Sequence, residues 1–296
     1  MIDIQFLGTA CMAPTKNRNH SATLLKFKGM HILFDCGENT QRQMKIAGIK
    51  PGKTTHLLIT HWHGDHVFGI PGLLSTMGAE SPDQHLQIYG PKGTKKYMEH
   101  LLKSFSGHDI ANFTITEVNQ GIIFENEDFF IEAQPMKHSI PCVGYAFQEK
   151  DRLRINVAKA KKLNLTGPVL GKLQKGKNVT VDGKKILAND LTYSVEGKRI
   201  GYVVDTLLCT GATKIAQDCD LLIAEGTHLD EIKEKTERAK HLTVKQAALL
   251  ASEHNVKKLV VTHLSQRYKS TDRIVEEART YFDNSIVAED FMRFKL

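Results

Sequence analysis

The feature that most constrains this chain is a cluster of potential metal ligands directly after the apolar run HLLIT. The cluster is the hexapeptide HWHGDH at 61–66. Imidazoles packed together repel one another when protonated, and imidazole and carboxylate are ordinary zinc ligands. We therefore predict that His61 and His63 bind one metal ion. Asp65 and His66 would bind a second ion beside it, whereas the alternative is a polar surface turn.

Further candidate ligands lie where other short apolar runs end. The runs HILFDCGE, HLLITHWHGDH, RIGYVVDT, DLLIAEGTH and KLVVTHLSQRY all stop at a polar, acidic or histidine-bearing cluster. This pattern indicates strands that deliver polar groups to one edge of a sheet. Asp205 and His263 follow two of these runs, and His138 lies in MKHSIP. Each is a weak indication alone, but together they supply the further ligands that two ions need, and a carboxylate can bridge two cations.

The spacing of apolar residues also predicts helices between the strands. These helices cover Glu38 to Ala47, Thr94 to Lys103, Ile215 to Cys219, Thr243 to Glu253 and Asp272 to Phe282. The fourth opens with the capping-box pattern Thr243-x-x-Gln246. Strongly apolar strands are covered by helices or by a second sheet, so we predict an α/β sandwich of two sheets flanked by helices. We expect one domain over 1–296 with one insertion.

The segment at about 150–197 departs from this pattern because it is basic and poor in apolar residues. Between Asp151 and Lys185, ten lysines or arginines oppose two acids, so this stretch carries +8 while the whole chain carries +7. Gly167-Pro168 and Gly171 to Gly176 indicate turns that would present amides and lysines to phosphates. We predict an inserted, protruding arm; the alternative is a solvated loop. The predicted RNA-binding residues of this arm are Lys159, Lys161, Lys162, Gly167, Pro168, Lys172, Lys175 and Lys177.

Composition argues against two other classes of protein. The five cysteines contain no C-x-x-C pair and are odd in number, so neither a disulfide scaffold nor a cysteine zinc knuckle is indicated. No apolar stretch is long enough to cross a bilayer. The amino terminus MIDIQFLGTA lacks the basic flank and apolar core of a secretory signal. We expect a cytoplasmic protein with no membrane partner.

On these motifs the chain resembles the metallo-β-lactamase superfamily, whose H-x-H-x-D-H hallmark reads HWHGDH here, and within it the ribonuclease Z family. The resemblance is nearly full length. It includes FLGTACMAPTKNRNHS, FDCGENTQRQM, VFGIPGLL, IYGPKG, KHSI, GYAF, the DT dipeptide, HLTVKQAA and THLSQRY. It implies a metallo-β-lactamase αββα sandwich and a zinc-dependent endoribonuclease that removes the 3′ trailer from precursor tRNA, leaving a 3′ hydroxyl on the tRNA.

The resemblance also implies the ligand sets and the quaternary structure. Two zinc ions would be bound per chain. Their ligands would be His61, His63 and His138 for the first ion, Asp65, His66 and His263 for the second, and Asp205 as the bridge. The family further implies a homodimer in which the basic arm of one subunit holds the precursor tRNA that the other subunit cuts.

Three residues are predicted to take part in catalysis beside the metal ions. Two cations that share a water molecule lower its pKa towards neutrality, and we predict that Asp65 orients or deprotonates this water. His241 would protonate the departing 3′ oxygen, with Glu225 holding it in its cationic form; the alternative for His241 is an idle residue before a helix cap. Asp35 in FDCGE is predicted to hydrogen-bond a ligand histidine and fix its tautomer.

The chain departs from the family pattern at places that spare every predicted ligand. Ala10-Cys11-Met12-Ala13 replaces a glycine-bearing loop after FLGT, Val203-Val204-Asp205-Thr206 replaces S-G-D-T, and AEGTH replaces E-A-T-F. These changes leave substrate details open. One alternative is a small-molecule hydrolase of esters, thioesters or phosphodiesters on the same fold. Another is a nucleic-acid-binding protein that has lost catalysis, whereas a polyadenylation-type nuclease needs a large second domain for which there is no room.

Overall fold

The computed structural model describes residues 1–106, 110–181 and 183–296. Its strands are β1 Asp3–Gly8, β2 Ala10–Cys11, β3 Ala22–Phe27, β4 Met30–Phe34, β5 His56–Leu58, β6 His85–Gly90, β7 Asn112–Glu117, β8 Gly121–Glu125, β9 Phe129–Pro135, β10 Val143–Glu149, β11 Arg152–Ile155, β12 Val179–Val181, β13 Lys184–Ile186, β14 Thr192–Val195, β15 Arg199–Val203, β16 Leu221–Glu225, β17 Leu259–Thr262, β18 Leu264–Ser265, β19 Ser285–Val287 and β20 Arg293–Lys295. Its helices are α1 Thr40–Ile46, α2 Gly64–Val67, α3 Ile70–Glu80, α4 Thr94–Lys103, α5 Val157–Lys162, α6 Pro168–Gln174, α7 Ala188–Leu191, α8 Thr210–Ala216, α9 Lys233–Arg238, α10 Val244–Glu253 and α11 Asp272–Tyr281, with 3₁₀ turns at Pro51–Lys53 and Asp230–Ile232. Among the described residues, no helix has the length and apolar character that spanning a bilayer requires.

The first sheet contains seven strands in the order β20-β1-β3-β4-β5-β6-β7. Strand β1 pairs antiparallel with β20 and β3, and β3 pairs antiparallel with β4. From β4 to β7 every pairing is parallel. The carboxyl ends of β4 and β5 therefore lie side by side, and they are followed by Asp35 and by the hexapeptide 61–66.

The second sheet also contains seven strands, in the order β19-β17-β16-β15-β10-β9-β8. Strands β15, β16, β17 and β19 are parallel neighbours. Their carboxyl ends meet at one edge for the same geometric reason. Asp205 lies just beyond β15, Glu225 ends β16 and His263 follows β17. The predicted delivery of polar groups to one edge is confirmed for these strands.

Buried aromatic rings join the two sheets face to face. Phe34 of β4 stacks on Tyr202 of β15 with ring centroids 4.9 Å apart. Phe27 of β3 meets Phe147 of β10 edge to face at 5.4 Å. These rings are at most 2% exposed, so this layer is a dry core between the sheets.

Helices cover the outer face of each sheet. Helices α1, α3 and α4 pack Met44, Leu74 and Met98 against the first sheet. Helices α8, α10 and α11 pack apolar side chains, among them Leu250 and Ile274, against the second sheet. The four layers confirm the predicted αββα sandwich of the metallo-β-lactamase fold.

The helices predicted at α1, α4, α10 and α11 are present, with ends within two residues of the prediction. The capping box is formed, since the Thr243 amide donates to Gln246 Oε1 at 2.9 Å and the Gln246 amide donates to Thr243 Oγ1 at 3.2 Å. The helix predicted over Ile215 to Cys219 was wrong, because α8 begins at Thr210 and the left-handed Asp218, at φ 56°, lies beyond its end. Helix α3 was not predicted.

A second compact unit consists of residues 125–130 and 148–198. It contains the antiparallel pairs β11–β14 and β12–β13 and helices α5 to α7. Its own small core is formed by Ala160, Leu165, Leu173, Ala188 and Leu191.

One turn that the sequence predicted in this unit is absent. Gly171 lies inside α6, which begins at Pro168 and is followed by Gly176 at φ 73°. Proline is favoured in a first helical turn, where its missing N–H removes no hydrogen bond. Gly167, with φ 64°, does form a turn before α6. The lysines predicted to bind RNA are all exposed, namely Lys159, Lys161, Lys162, Lys172, Lys175 and Lys177.

His56 of β5 gives the fold a specific sensitivity to acid. It is 3% exposed, Phe124 packs against its ring at 4.5 Å, and its Nε2 has no hydrogen-bond partner among the described residues. Burial lowers the pKa of His56 from 6.5 to about 4. Between these two pH values His56 is protonated in the unfolded chain but neutral in the folded protein. The free energy of unfolding therefore falls as the pH falls through this range.

We predict that His56 alone lowers the free energy of unfolding by up to about 3 kcal/mol between neutral and strongly acidic pH. Denaturant unfolding with a chelator present, at about pH 7 and about pH 5, should show a smaller loss for His56→Phe than for the wild type. Equal losses in the two proteins would contradict this assignment.

Candidate metal centre

The hexapeptide 61–66 reaches the sheet edge through a short loop after β5. Helix α2 begins within this segment at Gly64, which places Asp65 and His66 in its first turn. A Cβ atom at Gly64 would lie 2.3 Å from the ring of Phe68. The Phe68 ring, which is 62% exposed, therefore packs on the Gly64 backbone and would have to move to admit a larger residue.

Three imidazole nitrogens converge in the first ligand group, which consists of His61, His63 and His138. Nε2 of His61 lies 2.9 Å from Nδ1 of His63, and Nδ1 of His63 lies 3.2 Å from Nε2 of His138. Two nitrogens bound to one tetrahedral zinc ion would lie roughly 3.4 Å apart. The three side chains predicted to share an ion are thus brought together at nearly the separation that an ion requires.

The second ligand group consists of Asp65, His66 and His263. Nε2 of His66 lies 3.2 Å from Nε2 of His263. Oδ2 of Asp65 lies 3.5 Å from each of these nitrogens. The group therefore also offers three converging ligand atoms to one cation.

Asp205 lies between the two groups. Its Oδ2 is 3.0 Å from Nε2 of His66 and 3.3 Å from Nε2 of His263, and ligand atoms of Asp205, His61 and His66 lie within 4.8 Å of one another. The side chain is 2% exposed, and Oδ2 has no partner with hydrogen-bond geometry among the described residues. A buried carboxylate oxygen is costly unless positive charge lies beside it, supplied by a protonated histidine or by a metal ion. This atom therefore fits a ligand shared by two metal ions.

Asp35, Asp205 and His263 share an unusual backbone conformation. Their φ angles are 56°, 54° and 57°, in the left-handed region. That region costs a residue with a Cβ atom about 1–2 kcal/mol. Each residue lies at the end of a strand, where this conformation turns the chain away from the strand direction. The backbone is thus strained at three positions of the same centre, a pattern typical of functional sites.

Asp35 fixes the orientation of two histidines from behind the centre. Its Oδ2 lies 2.8 Å from Nδ1 of His66, so the predicted hydrogen bond to a ligand histidine is present. Its Oδ1 accepts from Thr60 Oγ1 at 2.9 Å, and Thr60 Oγ1 in turn lies 3.0 Å from Nδ1 of His61. Because both Nδ1 atoms donate hydrogen bonds, Nε2 is the atom of each ring that faces the centre and can bind a cation once it has lost its proton.

Two further supports of the candidate ligand histidines were not predicted from the sequence. Thr227 donates to Oε2 of Glu225 at 2.7 Å, and its Oγ1 lies 3.3 Å from Nδ1 of His263. The carbonyl oxygen of Lys240 accepts from Nδ1 of His138 at 3.1 Å. Thr227 could have been suspected from its place after a strand in AEGTH. A backbone carbonyl carries no sequence signal, because every residue has one.

The carboxylates make the centre favourable for positive charge. Burial by itself lowers the pKa of His66, but Asp35 and Asp205 raise it well above its usual value. The pKa of His263 is likewise raised against burial, chiefly by Asp205. Burial holds the pKa of His61 well below its usual value. Cations that replace these protons would be stabilised by the same carboxylates, so the donor set fits divalent metal ions.

His241 lies beside the ligand groups. Its Nδ1 is 2.8 Å from Oε2 of Glu225 and 3.1 Å from Oδ1 of Asp205. Burial by itself lowers the pKa of His241, but the Glu225 carboxylate outweighs burial and raises it to about 9. The ring therefore carries a proton at neutral pH. Because Nδ1 is held by carboxylates, Nε2 is the nitrogen that can donate to a substrate.

Five of the predicted ligands and His241 line one cavity of about 330 Å³, whereas His61 and His66 are fully buried behind them. Residues that line it include His63, Asp65, His138, His241, Cys11 and Met12. The structure therefore brings the seven predicted ligands, His241 and Glu225 to one place, whereas the predicted RNA-binding lysines belong to the second unit.

Known proteins resemble this chain over its whole length. The ribonuclease Z of Methanothermobacter thermautotrophicus is 40% identical over 296 residues, which cover 99% of this chain and 96% of that protein. The ribonuclease Z of Microcystis aeruginosa is 39% identical and covers 100% and 96% of the two chains. The profile of the family described as anti-Pycsar protein Apyc1 matches residues 2–154, so this part of the chain belongs to that family as well.

Solved structures agree with these relatives. The short form of human tRNase Z is 28% identical with a TM-score of 0.71, covering 99% of this chain and 98% of that chain. The metallo-β-lactamase fold protein YhfI from Bacillus subtilis is 17% identical with a TM-score of 0.71, covers the same shares of the two chains, and supports the fold alone. Since two relatives that are 39% and 40% identical cover at least 99% of this chain, the chain belongs to the ribonuclease Z family of metallo-β-lactamase-fold proteins.

Proposed function

We propose that this protein is an endoribonuclease that removes the 3′ trailer from precursor tRNA with the help of two zinc ions. One observation carries the proposal: in a chain of the ribonuclease Z family, Asp205 lies between two convergent ligand groups and 3.1 Å from the protonated His241. When bound, two divalent cations supply Lewis acidity, which acidifies a water molecule and offsets the charge of a phosphate.

The proposed ligands follow the two groups described above. They are His61, His63 and His138 for one ion, Asp65, His66 and His263 for the other, and Asp205 as the bridge. Imidazole nitrogen and carboxylate oxygen without thiolate suit zinc.

The proposed reaction is the hydrolysis of one phosphodiester bond. The oxygen of water forms a bond to phosphorus, the bond from phosphorus to the 3′ oxygen of the tRNA breaks, and the trailer leaves with a 5′ phosphate. Asp65, whose Oδ2 accepts from the Met12 amide at 2.8 Å, orients or deprotonates the attacking water, and the proton of the water passes to Asp65 or to solvent. His241 donates a proton from Nε2 to the departing 3′ oxygen, and Glu225 keeps that ring protonated through its 2.8 Å contact.

The basic segment at 150–197 is proposed to hold the substrate. We infer a homodimer, acting in the cytoplasm, in which this arm of one subunit binds the tRNA that the other cuts. The exposed lysines of α5 and α6 support this role because their ammonium groups can replace the counterions of a phosphate backbone. Such binding is sensitive to salt and largely indifferent to base sequence.

Incubation with a precursor tRNA tests the function directly. We expect cleavage that releases the trailer, leaves a 3′ hydroxyl on the tRNA, stops with a chelator and returns with zinc. Mapping of both product ends, together with measurement of bound metal, checks each part. Robust chelator-sensitive hydrolysis of small phosphodiesters or esters without any cleavage of precursor tRNA would instead favour a small-molecule hydrolase.

If His241 donates a proton to the leaving group, the fall in kcat on its substitution should depend on how poor that leaving group is. His241→Ala should lower kcat for precursor tRNA by about 10²–10⁴-fold, because the departing 3′ oxygen is a poor leaving group without a proton. Hydrolysis of bis(p-nitrophenyl) phosphate should change little, because nitrophenolate leaves without one. His254→Ala, directly after the C-terminal end of the outer helix α10, is the matched control. Equal losses on both substrates, or lost metal, would show that His241 supports the site rather than donating a proton.

If the arm binds RNA, removing its charges should weaken the binding of precursor tRNA and leave the hydrolysis of small substrates unchanged. Deleting α6 would remove the buried Leu173, so we instead propose glutamine at four exposed lysines, namely Lys162, Lys172, Lys175 and Lys177. The salt dependence of precursor tRNA binding should fall by about one unit for each lysine that contacts a phosphate. Hydrolysis of bis(p-nitrophenyl) phosphate should be unchanged.

A second variant of equal charge serves as the control for the arm. It carries glutamine at four exposed lysines elsewhere, namely Lys50, Lys53, Lys214 and Lys233. If both variants weaken tRNA binding equally, net charge rather than the arm governs affinity and the assignment is wrong.

A further inference from the structure

Met12 is an apolar residue that is almost fully exposed at the metal cavity. Its side chain is 79% exposed and lines the cavity beside Asp65 and His263. A side chain with this exposure adds little to the free energy of folding, because it buries little apolar surface. Its presence at the mouth of a polar cavity therefore calls for an explanation other than packing.

The backbone of Met12 is strained and held from both sides. Its φ is 57°, a left-handed conformation that costs about 1–2 kcal/mol for a residue with a Cβ atom. Its amide donates to Oδ2 of Asp65 at 2.8 Å, and its carbonyl oxygen lies 3.0 Å from Nε2 of His20. These contacts fix the main chain at the cavity mouth. Glycine would adopt this conformation without strain, so the methionine side chain is retained at a cost.

The position of Met12 indicates which part of the substrate it faces. Met12 is bonded to Asp65, whereas His241 lies at the side of Glu225 and has its ring 5.5 Å from that of His138. The departing 3′ oxygen belongs to the last nucleotide of the tRNA and must lie at His241 to receive its proton. In an in-line displacement the attacking water lies opposite the departing 3′ oxygen. The first nucleotide of the trailer, attached to the same phosphorus through its 5′ oxygen, therefore extends to the side of this line, and Met12 is part of the cavity wall there.

We propose that Met12 forms an apolar wall on which the base of the first trailer nucleotide packs. The inference rests on the proposed function. Unpaired bases pack on apolar and aromatic surfaces with little regard to sequence, and a thioether makes favourable contacts with aromatic rings. This contact positions the trailer nucleotide, and with it the scissile phosphate, against Asp65 and His241. Met12 is thus a positioning residue rather than a catalytic one.

A cycle that removes either the side chain or the base tests the contact. The substrates are a precursor tRNA and the same RNA with an abasic first trailer nucleotide. For the wild type, we expect kcat/KM to fall about three- to tenfold when this base is absent. Met12→Ala and Met12→Gly should show a similar loss on the intact RNA and almost no further loss on the abasic RNA. Met12→Leu keeps an apolar side chain at this position. With this variant, removal of the base should again lower kcat/KM as it does in the wild type.

The pair of small substitutions separates the wall from the backbone. Alanine keeps a Cβ atom in the left-handed conformation and glycine does not, so an effect of Met12→Gly alone would trace to strain and overturn the proposal. The same cycle can be run with an RNA that lacks the base of the last tRNA nucleotide instead. If the effect of Met12→Ala disappears on that RNA, Met12 contacts the tRNA side and the proposal is overturned. The control Ile122→Ala removes an apolar side chain that is 57% exposed on β8 and should leave both substrates unaffected.

The outcomes separate this inference from the proposed function. If the wild type hydrolyses bis(p-nitrophenyl) phosphate but does not cut the intact precursor, the proposed function fails and the role of Met12 fails with it. A second outcome is that the wild type cuts the intact precursor while removal of the base lowers kcat/KM by the same factor in Met12→Ala as in the wild type. In that case only the role of Met12 is overturned.

Discussion

The structure depends on one electrostatic constraint, which is the crowding of buried carboxylates and imidazoles at a single sheet edge. Asp35, Asp205 and Glu225 are all within 2% of full burial, and His66 and His263 are at most 1% exposed. Buried carboxylates at such density are stabilised only by positive charge. In the protein alone, protons on the histidines supply that charge. Two divalent cations would supply it more completely, which is why metal binding and the stability of this edge are expected to be coupled.

The αββα fold makes this crowding possible. Parallel strands end at the same edge, and the stacked rings of Phe34 and Tyr202 hold the edges of the two sheets together. Ligands from β5, β15 and β17 can therefore meet although they come from distant parts of the chain. The left-handed residues at these strand ends concentrate the backbone strain where the chemistry is, and the two sheets around them are regular enough to sustain it.

The surroundings of the metal centre, more than the centre itself, distinguish one substrate from another. Hydrolases of many substrates share a histidine and aspartate centre of this kind, and the chain matches both ribonuclease Z relatives and the anti-Pycsar protein Apyc1 profile. What differs is the donor to the leaving group, the surface that holds the remote part of the substrate, and the wall of the cavity. Under the proposals above, His241 with Glu225 would be the donor, the basic second unit would hold the remote part of the substrate, and Met12 would form the wall.

The sequence by itself determined the strands that carry the candidate ligands, which residues are candidates and most outer helices, because these depend on local spacing and residue type. The hexapeptide 61–66 lies within one loop and one helical turn, so its chemistry is visible without a fold. The position of α8 and the helix around Gly171 were not predictable, since sparse apolar residues leave helix and turn close in free energy.

Only the tertiary structure decided which ligand atoms meet and in which tautomer. His63 and His138 are 75 positions apart, and His66 and His263 are 197 apart, yet each pair comes within 3.2 Å through strand pairing that no local pattern encodes. The same holds for the left-handed Met12, whose amide is bound by an Asp65 carboxylate 53 positions away. The sequence specifies the residue types, but the packing of the two sheets determines which of their side-chain atoms come into contact.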